Sequence, residues 1–436
     1  MDPLTIGFCG IIALLLLLLL RVPIGVALGI VSLVGIGLVR GVDSIYGAAR
    51  TMPYTFVAKW ELSAVPMFLL MGSVTYYSGL TAGLFKAMRL WLSRLPGGLA
   101  VATNFACAGF AAASGSSMAT AASMGRLAVP EMQKYRYDMG LATGVVAAAG
   151  TLGSLIPPSI LLIIFGMMTE TSIGKLFIAG IIPGLLTAAV YAIMIVGRCM
   201  ANPALAPAVE ERVTWAERFR ALLDIWQLPV LILIVIVTLY TGVATTTEAA
   251  ALGAAFAFVI AIANGTFSLQ LVRASVWESL KSTSTILFIS VGAIFFSRFL
   301  ALCGLPQFMA GLASGMEFSP ILLMVFIGMV YLVLGMFLDP IGLMLLTVPI
   351  FLPFFKAAGL DAVWMGIMVI KFVEIGLITP PVGLNAFVVK GILGDSVSIG
   401  TVFRGLAWFV LAEVVVVILL FAFPQIVLYL PETMSR

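Results

Sequence analysis

The sequence predicts an all-α polytopic membrane fold, arranged as an inverted repeat with two re-entrant hairpins and two broken helices. Three observations predict it. Of 436 residues, 62% are hydrophobic and 10% carry a formal charge, against roughly 45–50% and about 25% in soluble domains. Apolar runs near the ~20 residues that span a bilayer recur along the chain. The two halves of the chain also match each other in register.

The runs fall at about 4–20, 23–39, 62–79, 176–197, 228–243, 249–263, 284–302 and 402–423. The first could pass for a secretory signal. However, Asp2 stands where a basic segment belongs, Arg21 follows the run, and no small-residue cleavage site is present. It is read as a membrane helix retained in the mature protein. Two longer stretches, 97–170 and 319–390, are apolar but rich in Gly, Ser and Pro. The first is expected to hold a hairpin at about 97–133 and a broken helix at about 139–170. The second should hold a hairpin at about 320–353 and a broken helix at about 362–390.

A polar linker, 198–224, separates repeat 1–197 from repeat 225–436; it contains Pro203, Pro207, Glu210, Glu211, Arg212, Glu217, Arg218 and Arg220. Ala27-Leu28-Gly29 matches Ala251-Leu252-Gly253, and Gly41 matches Gly265. Ala128-Val129-Pro130 matches Thr347-Val348-Pro349, and Gly153 to Pro158 matches Gly376 to Pro381. Lys86, Arg89 and Arg94 precede the first hairpin, whereas the stretch from Leu305 to Pro320 has no Lys or Arg. Short cytoplasmic loops collect Lys and Arg, so equivalent segments are expected on opposite sides. The linker is then cytoplasmic and both termini periplasmic, although Arg50 and Lys59 fall outside in this scheme.

Composition also excludes chemistry. The chain has no histidine, which removes the usual proton shuttle and the commonest transition-metal ligand. Cys9, Cys107, Cys199 and Cys303 lie far apart in apolar sequence and read as small core residues. A net charge of +4, spread along the chain, gives no case for nucleic acid. The bilayer is the expected partner.

In hydrocarbon, helices break only where protein or a water-filled cavity satisfies the freed backbone groups. Four places look broken. Ala113-Ser-Gly-Ser-Ser-Met-Ala-Thr120 puts poor helix formers together, as at a hairpin tip. A small-residue packing face would be satisfied by Ala and spaced Gly, and does not need the hydroxyls of Ser114, Ser116 and Ser117. At Gly153-Ser-Leu-Ile-Pro157-Pro158-Ser159, two prolines withdraw two amide donors and free carbonyls that can coordinate a cation. Gly376-Leu-Ile-Thr379-Pro380-Pro381-Val382-Gly-Leu-Asn385 repeats this break and adds Thr379 and Asn385 as side-chain ligands. A double proline at equivalent positions in both halves points to a site. Gly335-Met-Phe-Leu-Asp339-Pro340 faces the first hairpin in the repeat; Asp339 reads equally as a functional acid or as the cap of a half-helix.

Each hairpin with its break then makes an oxygen-lined cage. Hydroxyls, carbonyls and an amide are hard ligands, and with few carboxylates they suit sodium better than calcium. Half-helix N-termini would present positive dipole ends to an anionic substrate. Lys371 and Glu374, one turn apart, pair with each other, or Lys371 neutralises a substrate carboxylate. Glu248 follows Thr245 as in a capping box. Arg126 and Arg298 line a path or snorkel to an interface.

These residues resemble the large membrane subunit of the TRAP (tripartite ATP-independent periplasmic) transporters, the DctM-like family. The matching stretches are Ser114-Gly-Ser-Ser with Val129-Pro130, Ile156-Pro-Pro-Ser159, Thr247-Glu-Ala-Ala-Ala251, Gly335-x-x-x-Asp339-Pro340, and Glu374-Ile-Gly-x-x-Thr-Pro-Pro-Val-Gly-Leu-Asn385. The resemblance implies an elevator transporter in the inner membrane, with sodium-coupled uptake of carboxylates or sugar acids. It also implies a small four-helix membrane partner and a periplasmic binding protein. One family sodium site carries over to Ser114, Ser117, Gly153, Ile156 and Pro158. The other carries over to Gly335, Gly376, Thr379 and Val382. Ser116, Asp339, Asn385, Lys371 and Arg126 remain as substrate or translocation candidates. Where the family often has Thr-Pro-Thr-Glu, this chain has Thr245-Thr246-Thr247-Glu248, and Lys371 and Arg126 are not part of the motif.

The alternatives are a stand-alone ion-coupled anion carrier, a passive channel and an intramembrane enzyme. The enzyme lacks a histidine and has few buried acids. Paired hairpins in inverted halves favour alternating access over a channel.

Overall fold

The computed structural model describes residues 2–207, 213–315 and 320–434. Glu210, Glu211 and Arg212 of the linker, and 316–319 of the loop before the second hairpin, lie outside them. Every regular element among the described residues is a helix.

In the first half, α1 (Pro3–Leu19) and α2 (Ile24–Arg40) lead to α3 (Val42–Val57) and α4 (Ala64–Tyr77). The last two are bent by 58° about a short break. A short α5 (Leu80–Leu92) follows. The first hairpin is α6 (Gly98–Ser114) and α7 (Ser117–Lys134); α8 (Met139–Gly150) and α9 (Ile160–Thr169) are the halves of a broken helix, and α10 (Ile173–Ala201) closes the half. The linker carries α11 (Trp215–Leu223). The second half repeats the order: α12 (Gln227–Tyr240), α13 (Thr246–Ala263), α14 (Leu269–Leu302) and α15 (Leu305–Gly315) come first. Then follow a hairpin of α16 (Pro320–Gly335) and α17 (Pro340–Ala357), a broken helix of α18 (Ala362–Ile378) and α19 (Leu384–Leu393), and α20 (Ile399–Ala422). A short α21 (Gln425–Glu432) ends the described chain.

Local chemistry sets the breaks. At the first hairpin tip Gly115 ends α6 with φ +61°, which a glycine adopts without steric penalty. Ser116 then starts α7, its hydroxyl accepting the Ala119 amide at 3.4 Å. Asp138, Ser159, Ser172, Asp339, Asp361 and Ser398 cap α8, α9, α10, α17, α18 and α20 in the same way. Each cap satisfies an amide that helix geometry leaves open, worth about 1 kcal/mol. Thr245 and Glu248 form the full capping box at α13, with the Thr245 amide donating to Glu248 at 2.8 Å.

Among the described residues, five helices are long and apolar enough to cross a membrane, or up to seven if each bent pair is one span. Hydropathy placed a span at 284–302, yet α14 runs 34 residues from Leu269. Trp277, Glu278 and Lys281 lower its hydropathy without breaking a helix. The polarity of the molecule is inverted relative to a soluble protein. Leu19 is 81% exposed and Ile193 72%, whereas Lys371, Glu374 and Glu413 are fully buried. That distribution fits a lipid solvent around a partly polar interior.

Two sets of helices pack closely, joined to each other through α14 on α17 and α4 on α6. In one, α2 and α4 lie against α13 and α14; in the other, α8 packs on α7 and α20, and α18 on α16 and α10. The second body contains both hairpins and both breaks.

Candidate ion and substrate sites

The first hairpin tip and the first break are in direct contact. The Ile160 amide donates to the Gly115 carbonyl at 3.4 Å, crossing from α9 to the end of α6. A Cβ on Gly153 would stand 2.6 Å from the Ser116 carbonyl oxygen, so only glycine permits this approach. The hydroxyls of Ser114 and Thr120 bond to each other at 2.8 Å, and Thr120 also donates to the Ser116 carbonyl at 2.8 Å. Ser159 donates to the Ser154 carbonyl across the two prolines. Ser114, Ser117, Gly153, Ile156 and Pro158 are all buried within this one region. The oxygens here are hydroxyls of the hairpin tip and carbonyls from the C-terminal end of α6 and the turn after α8, beside the N-terminal ends of α7 and α9. Oxygens of this kind fit a hard monovalent cation, and the N-terminal ends fit an anion.

The second hairpin and second break meet through two glycines. A Cβ on Gly376 would lie 2.8 Å from the Gly335 Cα, and one on Gly335 would lie 3.1 Å from the Gly376 Cα. The Thr379 amide donates to the Gly376 carbonyl at 3.3 Å, and the Thr379 hydroxyl to the Ile375 carbonyl at 2.6 Å. Past the prolines, the next backbone bond runs from Ala386 to the Gly383 carbonyl at 2.8 Å. The four residues carried over to the second sodium site, Gly335, Gly376, Thr379 and Val382, thus share one region. It is more open than its counterpart: Thr379 and Val382 are half-buried and Pro380 and Pro381 exposed, whereas 153–159 are buried throughout. Both Pro-Pro bonds, 157–158 and 380–381, are cis.

Asp339 accepts the Gly342 amide at 3.0 Å and caps α17, which is the capping reading of that residue. Asn385 is fully buried and donates to the Ala147 carbonyl at 3.0 Å, while its own carbonyl oxygen has no hydrogen-bond partner. It therefore links the second break to the helix leading into the first.

A polar cavity of about 350 Å³ opens between α4 and α14 on one side and the first hairpin on the other. Tyr76, Ser114, Ser116, Ser123, Arg126 and Glu278 line it. The Arg126 guanidinium reaches the Tyr76 hydroxyl at 3.5 Å and pairs with no carboxylate among the described residues. The cavity touches the first cage through Ser114 and Ser116. Tyr76, Ser123 and Glu278 have no sequence signal of their own; tertiary contact alone brings them in. Arg298 is elsewhere, lining with Arg40 a separate cavity between α2, α3 and α14.

Lys371 does not line the cavity of Arg126, and it makes the pair with Glu374 that its spacing offers. Its ammonium is fully buried, donating to Glu374 at 2.8 Å and to the Thr187 hydroxyl at 3.2 Å. It also lies 2.7 Å from Glu413, as a charge contact rather than an aligned hydrogen bond. Glu413 in turn accepts from the Tyr191 hydroxyl. Intrahelical spacing pointed to Glu374; Glu413, from α20, was not visible in the sequence.

The family model of the "Tripartite ATP-independent periplasmic transporter, DctM component" matches residues 11–426. The chain is similar to the C4-dicarboxylate TRAP transporter large permease protein DctM of Pseudomonas aeruginosa, at 37% identity over 86% of each chain. It is also similar to the sialic acid TRAP transporter large permease protein SiaM of Vibrio cholerae, at 31% identity over 95% of this chain and 96% of that one. Among solved structures, the Alcanivorax borkumensis YdaH transporter superposes with a TM-score of 0.67 at 16% identity, covering 97% of this chain and 99% of that one. That likeness is one of fold.

Proposed function

The chain belongs to the DctM-component family of the tripartite ATP-independent periplasmic transporters, and on that premise we propose that it imports a small organic anion together with sodium. The observation that carries this reading is the adjacency of the first oxygen-lined cage to the cavity holding Arg126. Sodium in the cage offsets the carbonyl ends of α6 and of the turn before Pro157. Arg126, Tyr76 and the hydroxyls of Ser116 and Ser123 receive the carboxylate of the substrate, with charge-assisted hydrogen bonds that suit a planar anion. The second cage, at Gly335, Gly376, Thr379 and Val382, takes a further sodium ion.

The cavity lies on the boundary between the body built on α2, α4, α13 and α14 and the body that carries both hairpins. An elevator cycle follows naturally: the first body is the scaffold, and the second moves with ions and substrate. The substrate class is a C4-dicarboxylate, a sugar acid or a related carboxylate. A periplasmic binding protein delivers it, and a small four-helix membrane subunit completes the assembly. We place the protein in the inner membrane with both termini in the periplasm and the linker in the cytoplasm.

Uptake of labelled dicarboxylates and sugar acids into proteoliposomes tests the tripartite part of the proposal. Accumulation that requires both the small subunit and the binding protein supports it. Accumulation by this chain alone makes it a stand-alone carrier instead.

A further inference from the structure

The cavity that Arg126 lines carries a second, opposite charge on its other side. Arg126 stands on α7 of the first hairpin, and Glu278 stands on α14, which packs against α4. Among the described residues lining the cavity, these two alone are charged. Among the described residues, no Lys or Arg forms an ion pair with Glu278, and no carboxylate forms one with Arg126. Lys281, one turn further along α14, is exposed and does not line the cavity. Tyr77 stands next to Glu278 and within electrostatic reach of Arg126.

A bound molecule therefore meets a cation on one side and a carboxylate on the other, within about 350 Å³. With the first carboxylate of a substrate on Arg126, a second one is pressed toward Glu278. Like charges confined to one site repel. A hydroxyl or ammonium group instead donates to Glu278 in a charge-assisted hydrogen bond. Discrimination between ligands comes from such a repulsive contact as well as from the attractive one.

We propose that Glu278 is a specificity-determining residue. It selects compact substrates with one carboxylate and a hydrogen-bond donor, hydroxyl or ammonium, at the far end, and it rejects dicarboxylates. The selection rests on Arg126 receiving the first carboxylate, as proposed above. Of the substrate classes named there, it favours the sugar acid over the C4-dicarboxylate.

Three four-carbon probes vary the far group alone: succinate, 4-hydroxybutyrate and 4-aminobutyrate. Calorimetry measures their binding to the purified full-length chain in lipid nanodiscs at saturating sodium. Wild type should bind 4-hydroxybutyrate or 4-aminobutyrate at least about tenfold more tightly than succinate, and the better of the two identifies the donor. Glu278 is exposed, so Glu278→Gln keeps the fold; it should erase or reverse that order. Arg126→Gln should weaken the binding of all three. Succinate bound by wild type as tightly as the others, an order unchanged in Glu278→Gln, or no binding of any probe would overturn the proposal. Probes that bind wild type and Arg126→Gln equally would instead overturn the carboxylate reading on which it rests.

Discussion

Gly376 and Gly335 meet so closely that a Cβ on the first would stand 2.8 Å from the Cα of the second. The contact joins the end of the second hairpin's first arm to the last turn of α18, immediately before the break. Gly376→Ala should therefore force the two helices apart. Overpacking of this kind costs typically 1–3 kcal/mol. A lowered melting temperature with loss of uptake is expected, while Gly391→Ala, with open space around its Cβ, should leave both unchanged. Equal melting temperatures for the two variants would show that the helices can yield here.

Ser117→Ala and Thr379→Ala each remove a hydroxyl from a proposed cage. A single neutral oxygen is worth about 1–1.5 kcal/mol. The sodium concentration for half-maximal uptake should rise about tenfold in each, with the protein still folded and substrate affinity at saturating sodium little changed. Sodium titration of uptake, with circular dichroism as the control, measures this. Unchanged sodium dependence in the double variant would remove the site assignment.

Arg126→Gln keeps much of the side-chain length but removes the cation from the cavity. Hydrogen bonds to a charged group contribute about 1.5–3 kcal/mol, so substrate half-saturation should rise roughly 10- to 100-fold. Arg126→Lys should recover part of this loss, because it restores charge but not the planar fork. Titration of uptake with substrate at fixed sodium reads both, and the sodium requirement should stay at the wild-type value.

Asn385→Ala cuts the bond to the Ala147 carbonyl and leaves that buried acceptor without its partner. Such a loss costs about 1–3 kcal/mol. A destabilised protein is expected, measured by thermal unfolding in detergent. A wild-type melting temperature would mean that the link between the two breaks is not structural.

Much of the fold was legible because membrane residence and helix breaking are written in composition. The paired Pro-Pro dipeptides and the hydroxyl-rich tip at Ser114 mark the breaks directly, since proline removes donors wherever it stands. Lys371 and Glu374 were legible as a pair because they lie three residues apart on one helix. Glu413 was not, because it sits alone in an apolar run and only the packing of α20 on α18 brings it to Lys371. Tyr76 and Glu278 were hidden for the same reason: the cavity they line forms between two bodies. The start of α14 was misplaced because hydropathy falls at Trp277 to Lys281 while helix propensity does not.

The most direct test of the central claim is accumulation of a labelled carboxylate in proteoliposomes with the small subunit and binding protein present. An inward sodium gradient is compared with a proton gradient of equal size. Accumulation driven by the sodium gradient alone is the predicted result. Accumulation driven by the proton gradient alone would contradict the account and make the oxygen cages something other than sodium sites.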